Sequence, residues 1–239
     1  MGTLFIVGTP IGNLEDISSK ALNILRDVHL IASENPARTQ RLLARSEIQT
    51  PRMRSTDAYQ RKKRQRTAAV LDALQEGNVA LVSEAGMPGL ADPGFELIAA
   101  AQRQGVRVVP VPGPAALSAA LSVSGIPAER FLFLGFLPRA SSARRKLLAP
   151  LVYNPFTIVA YESPHRLLDT LAVLDDVFDD RLIAVACELT KLYEEIQRGT
   201  AAELLAHFGG KKPRGEFTLV IAGAVSGETA RRTQEEGAT

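Results

Sequence analysis

Tryptophan is absent, aromatic residues make up only 5% of the chain, and the thiol and imidazole side chains amount to one cysteine and three histidines. A lone Cys187 cannot close an internal disulfide, and in its apolar run it is expected to pack as a small hydrophobe. The histidines, at positions 29, 165 and 207, form no clustered ligand spacing with it, so no metal site is expected. They also lack evident partners, and His29 and His207, in or beside apolar stretches, read as structural. No apolar run reaches the roughly 18 residues that span a bilayer. The N-terminus opens directly into strand-like sequence, without the basic, apolar and small-residue regions of a leader in series. The expectation is a cytoplasmic protein without a membrane anchor. G-x-S-x-G, G-x-x-x-x-G-K-[ST] and G-x-G-x-x-G are all missing, which removes three common catalytic and nucleotide-binding designs.

What is present is an ordinary apolar fraction of 46% on 239 residues, enough for one large or two modest domains. The net charge of +2 is small but unevenly spread. Seven basic residues (Arg52, Arg54, Arg61, Lys62, Lys63, Arg64 and Arg66) stand against the single acid Asp57 in one stretch. Smaller clusters occur at Arg139, Arg144, Arg145 and Lys146, and at Lys211, Lys212 and Arg214. Any one such run reads as a solvated face. Three on a nearly neutral chain favour a polyanionic partner, because phosphate neutralisation is carried by Lys and Arg.

The first half alternates strands with helices. Residues 4–7, 28–32, 79–82 and 106–111 read as strands. Helices are expected after Asp16 or Ser18, from Pro36 through Leu43, and over 61–75 and 95–104, while 48–60 is polar and poorly periodic. That alternation argues a mainly parallel sheet covered on both faces. The second half reads as helices over 115–124, 141–148, 164–174 and 201–208. Its strands are expected over 131–134 (too apolar to lie at the surface), 156–161, 181–187, 193–199 and 217–222. The short connection between 187 and 193 favours an antiparallel pair and a mixed sheet. The fold class expected is α/β in two domains, 1–112 and 113–223, with a polar tail over 224–239 expected to be disordered.

Three Gly/Pro-rich loops, 8–14, 83–94 and 110–114, each follow a first-domain strand. A parallel sheet would gather them on one edge, where open α/β proteins hold ligands. Two second-domain stretches, Tyr161-Glu162-Ser163-Pro164-His165-Arg166 and Glu188-Leu189-Thr190-Lys191, stand at strand ends and could face a crevice beside them. By chemistry alone they serve equally well as helix caps and surface charge.

These loops and stretches, in this order and together with Gly215-Glu216-Phe217, are similar to the ribosomal RNA small subunit methyltransferase I family, of the tetrapyrrole-methylase fold. The resemblance covers residues 3–223. It implies S-adenosylmethionine as cofactor, 2′-O-methylation of a cytidine in the decoding region of 16S ribosomal RNA, and a homodimer. It further implies cofactor contacts at Thr9, Pro10, Gly12, Asn13, Ser83, Glu84, Ala85, Gly86, Pro88, Pro112 and Gly113. Glu34, Glu162, Glu188 and Lys191 become candidates for proton handling or orientation. The basic stretch Arg52–Arg66, with Arg166, becomes the RNA contact. The chain departs from the family pattern in the first half: Glu34-Asn35-Pro36-Ala37 replaces Glu-Asp-Thr-Arg, and Glu84 and Met87 replace Asp and Thr. A His-rich stretch is replaced by Thr56-Asp57-Ala58-Tyr59. Two alternatives therefore stand beside the first reading: an RNA-binding paralogue with weakened or lost transfer activity, and a methylase of the same fold acting on a tetrapyrrole or a protein.

Overall fold

A computed structural model of the chain describes residues 1–49, 52–55, 63–210 and 213–224. It divides into two compact units, Met1–Ala116 and Leu117–Thr239.

The first unit runs β1 (Leu4–Val7), α1 (Ser19–Asp27), β2 (Leu30–Ser33), α2 (Pro36–Arg45), β3 (Arg52–Ser55), α3 (Lys63–Glu76), β4 (Val79–Val82), α4 (Phe95–Arg103) and β5 (Val108–Val111). All five strands pair in parallel, in the order β3-β2-β4-β1-β5. Successive side chains on a strand face opposite ways, and each set meets its own helices. Leu4, Ile6, Leu30, Ala32, Val79 and Leu81 pack with Val70 and Leu74 of α3 and Leu97 and Ala101 of α4. Val7, Ile31, Ala80, Val82 and Val111 pack with Ala21 and Leu25 of α1 and Leu43 of α2. This is why the strands read as unbroken apolar runs: both faces are covered. Each fully buried Leu, Ile or Val contributes about 1.5–3 kcal/mol relative to exposure. Of the two candidate caps for α1, Ser18 is the one used, its Oγ accepting the Ala21 N–H at 3.1 Å.

The polar stretch 48–60 holds a strand that periodicity did not show. Among the described residues β3 lies at the sheet edge and pairs with β2 alone, a place where an Arg-Met-Arg-Ser sequence is tolerated.

The second unit runs α5 (Ala116–Val123), β6 (Phe131–Phe136), α6 (Ser141–Leu148), β7 (Thr157–Glu162), α7 (Leu167–Phe178), β8 (Ile183–Cys187), β9 (Glu195–Gly199), α8 (Ala201–Gly209) and β10 (Phe217–Ile221). Its sheet has the order β6-β7-β10-β8-β9, with one parallel pair, β6 with β7, and the rest antiparallel. Leu167, Leu171, Leu174 and Phe178 of α7 and Leu204 and Phe208 of α8 pack on Ile158, Ala160, Ile183, Val185, Leu219 and Ile221.

Here β6 contradicts the sequence expectation. It is an edge strand, with Phe131 42% and Phe136 56% exposed, while Phe133 and Phe136 stand edge-on to Tyr161. An apolar run tells how hydrophobic a strand is, not whether a neighbour will lie on its far side. α7 also begins later than expected, because Ser163–Arg166 closes a turn (Arg166 N–H to Ser163 O, 3.1 Å) before the helix starts.

Candidate active site

In the first unit β2, β4, β1 and β5 lie side by side and parallel, so the loops leaving their carboxyl ends share one edge. Loops 8–14 and 83–94 are stitched by a two-way bridge: Thr9 N–H donates to Gly86 O at 2.9 Å, and Gly86 N–H donates to Thr9 O at 3.0 Å. Thr9 Oγ1 donates to Ser83 O and Gly86 O, each at 3.4 Å. Ser83 Oγ donates to Ala85 O and Gly86 O, each at 3.3 Å. The third loop joins by close backbone approach. A Cβ on Gly113 would stand 2.8 Å from the Gly8 backbone, so neither position admits a side chain. Gly86 has φ +81°, open to glycine at no steric cost.

The sequence-derived cofactor residues thus split into two groups. Thr9 and Ser83, each 3% exposed, build the cradle, with Pro10, Gly86 and Pro88 also buried. Gly12, Asn13, Glu84 and Pro112 are exposed, and Ala85 and Gly113 are half-buried. Asn13 also caps the short turn Leu14–Asp16, accepting from Glu15 N–H at 3.1 Å. Glu34 sits at the end of β2, and its Oε2 accepts the Glu84 N–H at 3.3 Å.

In the second unit, Phe217 at the start of β10 pairs with Glu162 on one side and Cys187 on the other. The two polar stretches therefore meet at one end of the sheet. Glu162 is buried, and its carboxylate accepts from Ser163 N–H (2.7 Å), Thr170 Oγ1 (2.7 Å) and Arg166 Nη2 (2.6 Å). Arg166 also donates to Ser163 Oγ (3.0 Å) and Leu137 O (3.1 Å). Beside it, Lys191 Nζ stands 2.8 Å from Glu188 Oε1 and 3.7 Å from Glu216 Oε2. Glu188 and Thr190 both have positive φ, 50° and 64°. Such strained backbone persists where the surroundings over-determine it, and it clusters at functional sites. A Cβ on Gly215 would lie 2.0 Å from Glu188 Oε1, so glycine there leaves room for the carboxylate.

Cys187 is buried as expected, its thiol donating to Arg214 O at 3.6 Å. Burial, then the Glu188 and Glu195 carboxylates, push its pKa up to about 11, with Lys191 opposing. Two histidines do have partners: His29 Nε2 lies 3.1 Å from Glu76, and His207 Nε2 lies 2.7 Å from Glu195. Both acids are remote in sequence and could not be paired by reading the chain.

Of the basic residues, Arg52 and Arg54 fall on β3, and Lys63 and Arg64 open α3, which continues through Arg66. Arg61, Lys62, Lys211 and Lys212 lie outside the described residues, as do 225–239 of the tail. The 139–146 cluster is not a free basic patch. Arg144 is only 1% exposed and donates to Pro138 O and Arg139 O, while Arg145 pairs with Asp176. Sequence reasoning also missed Thr170 and Arg38, and named Glu216 only within the Gly215-Glu216-Phe217 motif, without its Lys191 partner. Thr170 stands one helical turn beyond Arg166, a spacing that places both on one side of a helix.

The profile of the tetrapyrrole (corrin/porphyrin) methylases matches residues 3–205. A ribosomal RNA small subunit methyltransferase I from Thermotoga maritima is 46% identical over 224 residues, covering 93% of this chain and 99% of that protein. One from Pseudomonas aeruginosa is 44% identical over 226 residues, covering 93% and 79%. The chain belongs to the ribosomal RNA small subunit methyltransferase I family. Solved structures share its fold. A cobalt precorrin-4 methyltransferase superposes with a TM-score of 0.66 at 18% identity, covering 92% of this chain and 94% of that one. A Thermus thermophilus uroporphyrin-III C-methyltransferase complexed with S-adenosylhomocysteine gives 0.63 at 20%, covering 92% and 97%.

Two residues singled out in the sequence, Asn35 and Glu84, are in contact. Asn35 Nδ2 donates to Glu84 Oε1 at 2.9 Å, and Arg38 Nη1 lies 2.9 Å from Glu84 Oε2. Met87 is half-buried, packed against the first core cluster with its sulfur beside Gly8.

Proposed function

We propose that this chain transfers a methyl group from S-adenosylmethionine to the 2′-hydroxyl of a cytidine ribose in the decoding region of 16S ribosomal RNA. The observation that carries the reading is the cradle of three stitched loops, in a chain that matches a small subunit methyltransferase I along 99% of that protein's length. The cradle suits such a cofactor. Its glycines let the loops pack backbone to backbone, and exposed Gly12 and Asn13 present polar groups at its surface.

When bound, the cofactor supplies a methyl group already activated by its sulfonium charge. The chain's own residues then have to orient the ribose hydroxyl and take its proton. Glu162 has three donors on its carboxylate and is buried, which suits an anchor for Arg166. Glu188, held by Lys191 and part exposed, suits the proton acceptor, with Lys191 orienting it. Glu34 belongs to the cofactor side, through Glu84. Arg52–Arg66 and Arg166 serve as phosphate contacts, which position RNA without reading its sequence. A cytoplasmic homodimer is part of the same reading, and sedimentation should give twice the 25.7 kDa of one chain.

The test is mass spectrometry of small-subunit RNA nucleosides from cells lacking this chain. One 2′-O-methylcytidine should disappear and return with the wild-type gene. An unchanged ribose-methyl profile, or loss of a base methyl instead, would sink the proposal.

A further inference from the structure

The carboxylate of Glu84 is gripped at both oxygens from one helix end. Asn35 Nδ2 donates to Oε1 and Arg38 Nη1 pairs with Oε2, both at 2.9 Å. That helix end is itself well fixed. Asn35 caps α2, its Oδ1 accepting the Arg38 N–H at 3.3 Å, and Pro36 occupies the first turn. The hydroxyls of Ser33 and Thr39, both buried, meet at 2.6 Å and tie α2 to the end of β2. Glu84 N–H donates to Glu34 Oε2 at 3.3 Å, and Glu34 N–H donates to Val82 O at 3.3 Å. Two residues beyond Glu84, Gly86 makes the bridge to Thr9 that closes the cradle.

The Arg38 and Glu84 side chains are 54% and 36% exposed. Exposed ion pairs add little to global stability, so this grip acts chiefly on local geometry. We propose that Asn35 and Arg38 are positioning residues of the methyl-donor site. They hold Glu84, and through it residues 83–86, in the shape that receives the cofactor. The proposal rests on the reading above that this loop binds S-adenosylmethionine.

The experiment is calorimetry of the full chain with S-adenosylhomocysteine, alongside urea unfolding. Asn35→Asp sets a second carboxylate against Glu84 and should weaken binding about five- to tenfold, from like-charge repulsion at contact distance. Adding Glu84→Gln should restore affinity to within about twofold of Glu84→Gln alone. Arg38→Met should weaken binding about threefold, and the difference should fade in 1 M salt, where the screening length is about 3 Å. Urea midpoints should barely move in any of these variants. Asn35→Asp binding as wild type, or losing affinity only in step with stability, overturns the proposal. Gly12→Leu, at an exposed place in the same cradle, tests the underlying reading separately. If it leaves affinity intact the loops are not the cofactor site, whereas weakened Gly12→Leu with unchanged Asn35→Asp defeats the clamp alone.

Discussion

Glu162→Gln distinguishes an anchor from a proton carrier. The Glu162 side chain is fully buried and takes three donors at 2.6–2.7 Å, from Arg166, Ser163 and Thr170. Glutamine keeps the volume but has one acceptor oxygen. Its amide must turn either toward the Ser163 N–H and Arg166, meeting donors, or toward Thr170, leaving the guanidinium facing a neutral carbonyl. Removing one partner of a buried pair costs about 3–5 kcal/mol. Arg166 is 21% exposed and keeps Ser163 Oγ and Leu137 O, which places the cost at the lower end, about 3 kcal/mol. Thr170→Val removes one charge-assisted hydrogen bond, about 2 kcal/mol. Because both changes act on one carboxylate, the double variant should fall short of their sum by about 1 kcal/mol. Urea unfolding followed by tyrosine fluorescence suits the measurement, since three of the four tyrosines, Tyr153, Tyr161 and Tyr193, belong to the second unit. Transfer activity per folded molecule should fall by less than about tenfold. A Glu162→Gln protein within about 1 kcal/mol of wild type, yet slowed by about a thousandfold, would refute this reasoning and mark Glu162 as the proton carrier.

Three other outcomes are expected. Gly215→Ala puts a Cβ where Glu188 Oε1 lies, at φ +85°. It should displace the Glu188–Lys191 pair and lower methyl transfer at least about tenfold, a loss that single-turnover kinetics would place in the chemical step. Cys187, with its pKa pushed up to about 11 from an ordinary 9.0, should carry on the order of a hundredfold less thiolate at pH 8 than a free thiol. Iodoacetamide labelling should be correspondingly slow in native protein and fast in urea, and equal rates would contradict the burial. Thr200→Ala breaks a capping box in which Thr200 Oγ1 accepts Glu203 N–H and Glu203 accepts Thr200 N–H. Thermal unfolding should show a loss of about 1 kcal/mol, and no shift would mean that α8 holds by packing alone.

Local rules make several elements legible in the sequence itself. β1 and β4 coincide with their apolar runs, and Pro36 and Gly77 mark helix ends where their backbone chemistry demands it. β3 was hidden because an edge strand paired on one side needs no apolar alternation. Arg144 is not legible in sequence, because a helix's charged residue looks the same whether it faces water or a pair of carbonyls. Nothing in local sequence places Arg38 against Glu84, nearly fifty residues away.

The sequence alone determined the α/β alternation, the three Gly/Pro loops and the family, because strand and helix periods, turn residues and ordered motifs are local or linear properties. Only the tertiary structure decided which polar residues meet. It joined Thr9 to Gly86, closed Gly8 against Gly113, wrapped Glu162 in three donors and set Asn35 and Arg38 on Glu84. Those pairings depend on sheet order and strand register, which bring together groups that the chain keeps far apart.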